Sequence, residues 1–402
     1  MIGLGSMIGA GVFAAIGPAA RAAGNGLLIG LAIAGAIAFC NAVSSAQLAA
    51  LYPESGGTYV YGRVRLGRFW GFLAGWGFVI GKLASCAAMA MTFGMYAAPS
   101  LARPLAVSAV FGLTMVNLLG IQKTAAVTRV IVVLVLLSLA AVVAANLMGG
   151  STDIDRLWPV VGASPYGVLQ AAGMLFFAFA GYARLATLGE EVIDPRRTIP
   201  RAIPLALGIT LLIYATVAVS AMLTLDAQAL ADAGAPLEAA VRAGSLSWLS
   251  PAVRVGATIA SLGVLLSLIL GVSRTAFAMA KNGDLPRALA AVHPRVKVPH
   301  RAEAAVGAIV AAAVLVADLR TAIGFSSFAV LLYYAIANAC ALTLSAAERR
   351  WPRAISAIGL AGCVAVAFSL PARSVIGGLV LFAVGVAAYF VRHRIMKSPT
   401  AT

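Results

Sequence analysis

The chain has 402 residues, of which 62% are hydrophobic and only 10% are charged. A soluble domain carries about 25% charged residues, so this composition excludes a soluble globular protein and indicates a polytopic membrane protein. The net charge of +16 does not indicate a nucleic-acid partner, because the basic residues lie in short segments between apolar runs, where they orient membrane helices.

The opening stretch, Gly3–Phe13, alternates four glycines with apolar residues. Each glycine in a helix interior costs about 1 kcal/mol, so the stretch predicts a break in an apolar helix. Within a membrane, non-helical backbone is tolerated where it lines a cavity enclosed by protein. The freed N–H groups suit an anion and the freed C=O groups suit a cation, which indicates a binding site. A tightly packed helix is the alternative, since small residues also let membrane helices approach closely.

Twelve apolar segments approach the roughly 20 residues that a membrane span requires. The first is the opening stretch. The other eleven predicted spans are Gly26–Leu51, Phe69–Ala98, Leu105–Leu119, Val127–Met148, Tyr166–Gly189, Ala202–Leu225, Pro251–Ala280, Ala302–Ala317, Ile323–Ala346, Ile355–Leu370 and Ser374–Val391.

The positions of Lys and Arg in the loops support this count. Nineteen of them lie on one side of the predicted membrane and seven on the other, a strong positive-inside asymmetry. This asymmetry predicts that both termini are cytoplasmic and that the acidic loops around 153–155 and 226–238 lie outside. The four cysteines, all within apolar runs and without metal-ligand spacing, are predicted to be buried thiols: Cys40, Cys86, Cys340 and Cys363.

Three basic residues, Lys82, Arg184 and Arg274, fall within the predicted spans or at their ends. Charge inside a membrane is expensive and is by default a functional hypothesis. Arg274 lies near the cytoplasmic end of its span, so we expect its side chain to reach the membrane surface. Lys82 lies deeper, and we predict that it faces a cavity.

The sixth span holds a second disruption. The aromatic cluster Phe176–Phe179 leads into Gly181 and then into Arg184, all within an apolar run. Aromatic residues at this spacing also serve in simple packing. However, corresponding breaks in two halves of a chain are the best sequence indication of a transporter site at a repeat interface.

Four motifs resemble those of the amino acid–polyamine–organocation superfamily of transporters. They are GSMIGAGVF in the first span, YPESGGTYVYGRVRLG after the second, FFAFAGYARLATLGEEVIDPRRTIPRAI in and after the sixth, and SRTAFAMAKNGDLPRALAAVHPRVKVP at the end of the eighth and after it. The resemblance implies an all-α membrane protein of about 12 helices with the leucine-transporter-like fold. Residues 1–148 and 166–346 would form two inverted five-helix repeats, and residues 355–391 two further helices.

The resemblance also implies a substrate site at the two breaks. The amides of the first break would hold a substrate carboxylate, and the carbonyl groups of the sixth-helix break would receive its ammonium, with Phe179 closing over it. The matching residues are Ser6, Met7, Ile8, Gly9, Ala10 and Gly11 in the first helix and Phe177, Ala178, Phe179 and Ala180 in the sixth. The implied function is secondary active transport of amino acids across a bacterial cytoplasmic membrane.

The sequence does not decide whether the coupling ion is a proton or sodium. Proton-coupled relatives carry a lysine in the fifth helix, where this chain aligns Val135. Sodium would need oxygen ligands such as Ser261 and Ser267, whereas a proton could be carried by Lys82 beside the fixed cation Arg184. We predict proton coupling or exchange through Lys82.

Relatives also begin with about twenty more residues, so we expect an extension upstream of Met1.

The sequence also bears on other classes of function. An enzyme is not expected, because the three histidines lie in cytoplasmic segments and there is no paired carboxylate, metal cluster or phosphate loop. No cofactor is expected either. Many relatives carry Gly-Phe-Asp where this chain has Gly181-Tyr182-Ala183, and no acidic residue lies deep in a predicted span. This favours neutral amino acids as substrates. A polyamine or cationic amino acid antiporter, and a non-transporting channel or sensor, remain alternatives.

Overall fold

The computed structural model describes residues 7–54, 56–120, 125–150, 152–157, 163–182 and 194–397. Over these residues the chain is helical and contains no strand. Its twelve long helices are α1 Gly11–Ala23, α2 Leu27–Leu51, α3 Arg68–Ala97, α4 Ala102–Leu118, α5 Ala125–Met148, α6 Pro165–Phe179, α7 Pro195–Thr224, α8 Ser250–Lys281, α9 His300–Val316, α10 Leu319–Leu342, α11 Arg353–Ser369 and α12 Ala372–Lys397.

These helices confirm an all-α membrane protein. Each of the eleven later predicted spans overlaps one long helix, and the opening stretch leads into α1. Eight helical stretches are long and apolar enough to cross a membrane. One of those stretches joins α1 and α2, while α6 and α11 are shorter apolar helices. The four cysteines are buried, as predicted. The division into two inverted repeats and two further helices stays a prediction.

The structure corrects several helix ends, including the start of the tenth helix, at Leu319 and not Ile323, and the end of the twelfth, at Lys397 and not Val391. The seventh helix begins at Pro195 and not at Ala202, because helix continues beyond the apolar run and proline suits a first helical position. The tenth helix ends at Leu342 and not at Ala346, and the Thr343 hydroxyl donates to the Cys340 carbonyl at 2.7 Å at this end. The sixth helix ends at Phe179, and its predicted continuation to Gly189 lies largely outside the described residues.

Polar caps fix the starts of two helices that frame the interior. At the start of α6, the Ser164 hydroxyl accepts a hydrogen bond from the Gly167 amide at 3.0 Å. At the start of α10, the Asp318 carboxylate accepts one from the Thr321 amide at 2.8 Å. Such caps satisfy amides that the helix itself leaves unpaired. These side-chain hydrogen bonds therefore fix the residues at which α6 and α10 start.

Small residues let α3 pack closely at the centre of the bundle. A Cβ placed on Gly81 would lie 2.9 Å from the Ala329 side chain of α10, and one on Gly75 would lie 2.9 Å from the Met279 sulfur of α8. Membrane helices associate through such close backbone approach. Together with the contact of α1 with α6, this packing brings α1, α3, α6 and α8 together in the interior.

Candidate functional site

The chain enters α1 through a short non-helical segment, Ile8–Ala10. Within it, the Gly9 amide donates to the Met7 carbonyl at 2.9 Å, and α1 begins at Gly11. Met7 and the residues up to Ala10 are buried. Ser6, also predicted to belong to this break, lies outside the described residues. The structure thus contains the predicted irregular backbone and directs the N-terminal end of α1 into the protein interior.

The regular helix of the sixth span also stops inside the protein. α6 ends at Phe179 and is followed by a single 3₁₀ turn, Ala180–Tyr182. The residues predicted to form this break, from Phe177 to Ala180, are buried. The last carbonyl groups of a helix carry partial negative charge and lack partners within the helix. This end of α6 can therefore attract a cation.

The two breaks are in direct contact. A Cβ placed on Gly11 would lie 2.7 Å from the Cα and 3.4 Å from the carbonyl oxygen of Ala178. A Cβ on Gly9 would lie 2.6 Å from Cγ2 of Val264 in α8. Neither glycine has a positive φ, so these positions require glycine for space and not for an unusual backbone conformation.

Tyr214 of α7 joins both breaks and was not indicated by the sequence. Its hydroxyl donates to the Met7 carbonyl at 2.5 Å and lies 3.4 Å from the Ala178 carbonyl. Its ring lies 5.3 Å from that of Phe179, between centroids, and is fully buried. A tyrosine within an apolar span carries no distinguishing pattern, so only the tertiary structure could reveal this role.

Lys82 reaches the break in the sixth span, and its predicted position facing a cavity stays a prediction. Its side chain is 6% exposed, and Nζ donates a hydrogen bond to the Ala180 carbonyl oxygen at 3.2 Å. One turn further along α3, the Ser85 hydroxyl lies 2.7 Å from that of Ser326 in α10. Arg184, the cation predicted to act with Lys82, lies outside the described residues. Arg274 is exposed, in keeping with its predicted position at the membrane surface.

The predicted sodium ligands lie on α8. The Ser261 hydroxyl donates to the Ala257 carbonyl at 2.7 Å, and the Ser267 hydroxyl donates to the Gly263 carbonyl at 3.0 Å. Each serine is three residues from Val264, which lies against Gly9, so both are on nearby faces of α8. Both hydroxyls donate their protons within α8, so each could bind a cation through the remaining lone pairs of its oxygen.

A buried carboxylate links a short helix and the start of α3 at one end of the bundle. Asp284, just after α8, accepts hydrogen bonds from the Tyr59 hydroxyl at 2.7 Å, from Arg63 at 2.8 Å and from Arg68 at 3.3 Å. Tyr59 and Arg63 belong to the short helix Thr58–Arg65. Burial, reinforced by the hydrogen bond to Asp284, raises the pKa of Tyr59 to about 12. Tyr59 therefore acts as a neutral donor at physiological pH.

Short helices after α7 cover α1 at the opposite end. Arg21, near the end of α1, forms a 2.5 Å ion pair with Asp232 of the helix Ala227–Asp232. Deeper along α1, the Phe13 carbonyl accepts a hydrogen bond from the Tyr96 hydroxyl at 3.3 Å. Arg254 of α8 in turn donates to the Tyr96 carbonyl at 2.9 Å. Polar contacts therefore lie on both sides of the region where the two breaks meet.

Comparison with known proteins agrees with this geometry. The sequence matches the amino acid permease family over residues 1–398. An uncharacterized transporter of Mycobacterium tuberculosis is 62% identical over 402 residues, which cover 100% of this chain and 91% of that protein. The cationic amino acid transporter 7, chloroplastic, of Arabidopsis thaliana is 29% identical, covering 84% of this chain and 63% of its own. The branched-chain amino acid permease BcaP of Bacillus subtilis is 24% identical, covering 98% and 91%.

Proposed function

Because the chain belongs to the amino acid permease family, and its relatives are transporters and not enzymes, we propose that it carries amino acids across the bacterial cytoplasmic membrane by alternating access. The contact between the two helix breaks, Gly11 against Ala178, is the observation that supports this most strongly. Irregular backbone at two helix ends, buried and adjacent, is the arrangement in which transporters bind a solute between moving parts.

The polarity of the two helix ends fits a zwitterion. The start of α1 presents N–H groups and partial positive charge, while the end of α6 presents carbonyl groups and partial negative charge. A substrate carboxylate would bind at Met7–Gly11, together with Ser6, and an ammonium at Phe177–Ala180. Among the described residues of both breaks there is no carboxylate side chain to pair with a second substrate cation. This favours neutral amino acids.

A polyamine or cationic amino acid antiporter is the second candidate. The relative from Arabidopsis is by its name a cationic amino acid transporter, whereas the relative from Bacillus is a branched-chain amino acid permease. A panel of radiolabelled substrates in proteoliposomes separates these functions. We expect uptake of branched-chain or other neutral amino acids, and preferential exchange of arginine or polyamines would establish the second candidate instead. Absence of uptake and exchange for the whole panel, in folded protein, would contradict both.

For coupling we propose a proton, or exchange, through Lys82. The hydrogen bond from Lys82 to the Ala180 carbonyl supports this, because it links an ionisable group to the sixth-helix break. Sodium bound near Ser261 and Ser267 is the alternative. Uptake driven by a pH gradient or by a sodium gradient should be compared in wild type, in Lys82→Ala and in the control Lys281→Ala, since Lys281 is exposed at the end of α8. Sodium-driven uptake that survives Lys82→Ala would contradict proton coupling.

The proposed orientation places both termini in the cytoplasm, on the basis of the asymmetry of loop charge. A reporter fused after Thr402 tests this. Green fluorescent protein should fluoresce there, because it folds poorly when exported unfolded, whereas alkaline phosphatase should stay inactive. Active phosphatase at this position would reverse the orientation.

A further inference from the structure

Lys82 lies halfway along the helix that crosses the centre of the bundle. It is fourteen residues from Arg68 and fourteen from Tyr96, or about 21 Å of helix rise in either direction. Among the residues that the structure describes, its ammonium makes one hydrogen bond, to the Ala180 carbonyl at the end of α6. The Lys82 ammonium therefore binds a carbonyl group of the kind that would otherwise bind the ammonium of a substrate.

The ionisable groups around this part of α3 do not neutralise Lys82. Cys86 lies one turn along α3, and Tyr333 of α10 contacts the Phe78 ring one turn before Lys82, at 5.4 Å between centroids. An ordinary thiol or phenol is uncharged at pH 7. Among the described residues, no carboxylate forms an ion pair with Lys82.

The described carboxylates on elements packed against α3 interact with groups other than Lys82. Asp284 is bound by Arg68 at the first residue of α3, and Glu238 lies within 3.9 Å of Arg254, which binds the Tyr96 carbonyl near the last. Glu303, in the first turn of α9, is buried, has no hydrogen-bond partner among the described residues and interacts electrostatically with Arg274. Asp318, before α10, caps that helix through the Thr321 amide. Lys82 is therefore a buried cation whose counter-charge is not supplied by the described part of the protein.

A buried charge without a partner is costly, and the start of α1 also favours an anion. A carboxylate that lacks an amine would neutralise both. A zwitterion would instead bring a second ammonium toward the carbonyl that Lys82 holds, where two like charges repel each other. It binds well only when Lys82 has released its proton to solvent and become a neutral amine.

We infer that the occupied site holds one ammonium group, either that of Lys82 or that of the substrate, so that small carboxylates without an amine are ligands of the Lys82-protonated form. This inference rests on the proposed function and extends its substrate class. It also defines the proton balance: binding of a zwitterion releases one proton from Lys82, whereas binding of the amine-free carboxylate releases none.

The test measures binding to purified protein in detergent, where permeation of weak acids through lipid does not interfere. The probes are leucine, valine, alanine and phenylalanine, each paired with its des-amino carboxylate: 4-methylpentanoate, 3-methylbutanoate, propanoate and 3-phenylpropanoate. Affinities are measured by calorimetry or thermal shift between pH 6 and pH 8.5. The variants are Lys82→Met, which keeps an unbranched side chain, and the control Lys281→Met.

In wild type, affinity for an amino acid should rise with pH, by about tenfold per pH unit while Lys82 is protonated in the free protein. Affinity for the matching carboxylate should stay constant or fall. Lys82→Met should lower carboxylate affinity by about tenfold or more and make amino acid binding stronger at pH 6 and independent of pH. Lys281→Met should behave as wild type.

Equal changes for both members of a pair in Lys82→Met, or no change in either, would overturn the inference while leaving transport of amino acids intact. Parallel pH dependence of both members in wild type would overturn it without any variant, which covers the case that Lys82→Met fails to fold. If wild type binds no member of any pair, the proposed function is contradicted, and this inference with it.

Discussion

Gly11 and Ala178 meet where the first and sixth helices are interrupted, 2.7 Å separating the Cα of Ala178 from the point that a Cβ on Gly11 would occupy. The two residues are far apart in the chain and belong to the two segments that the sequence marks as broken. Because the obstructing atom is backbone, no side-chain rotation could make room for a larger residue at Gly11. The close approach of α1 and α6 therefore requires that residue 11 has no Cβ.

The first prediction is that Gly11→Ala lowers amino acid uptake by about tenfold or more, since overpacking a tight contact costs about 1–3 kcal/mol. Gly112→Ala in α4 is the matched control, because a Cβ there meets nothing within 4 Å. Uptake and expression are measured together in proteoliposomes and membranes. Normal uptake by Gly11→Ala would show that the breaks need not approach so closely.

The second prediction uses the different neighbour of Gly9. A Cβ on Gly9 would meet only the Val264 side chain, at 2.6 Å from Cγ2. Gly9→Ala should therefore impair uptake, Gly9→Leu should abolish it, and Val264→Ala should restore much of the activity of Gly9→Ala. The same second change should not restore Gly11→Ala, whose obstruction is the Ala178 backbone. Rescue of both variants, or of neither, would contradict this packing account.

The sequence predicted the interrupted helices well because their cause is local. Clustered glycines weaken helix wherever they occur, and continuous apolar runs identify membrane helices without any tertiary information. Lys82 could be identified as a functional candidate, because a charge deep in an apolar span is expensive. Its partner, the Ala180 carbonyl, could not be predicted, since it is a backbone atom 98 residues away.

Other parts of the site depend on tertiary contacts that no sequence pattern predicts. Tyr214 is one tyrosine in an apolar helix, and its hydrogen bond to Met7 spans 207 residues. Asp284 lies in a recognisable motif, yet its partner Arg63 is 221 residues away. Glycine at positions 9 and 11 is required for space, because neither residue has a positive φ and a Cβ on either would lie within 2.7 Å of a neighbouring atom.

The third prediction concerns pH and the ion pair between Arg65 and Glu348, at 2.5 Å in the loops outside the spans. The hydrogen bond from Arg65 lowers the pKa of Glu348 from 4.5 to about 2. The pair therefore stabilises the fold fully above about pH 4.5, and its contribution disappears as the pH falls toward 2. Glu348→Gln should lower the melting temperature slightly at pH 6 and flatten its decline between pH 5 and pH 3. Glu54→Gln is the control, since Glu54 is exposed. A decline as steep as that of wild type would show that this pair does not contribute.

The last prediction is that Tyr214→Phe weakens substrate binding more than it weakens the fold. The substitution keeps the ring against Phe179 but removes the hydroxyl that donates to the Met7 carbonyl at 2.5 Å. The Met7 carbonyl keeps the Gly9 amide as a donor, so losing this hydrogen bond costs about 0.5–1.5 kcal/mol. Because Met7 and Ala178 belong to different breaks, we expect this loss to change their relative position and to lower substrate affinity by about tenfold. Calorimetric affinity and melting temperature are measured for this variant and for Tyr166→Phe, an exposed tyrosine at the start of α6. A fall in melting temperature with unchanged affinity would give Tyr214 a purely structural role, whereas reduced affinity with Tyr166→Phe unaffected would establish that its hydroxyl positions the two breaks for the substrate.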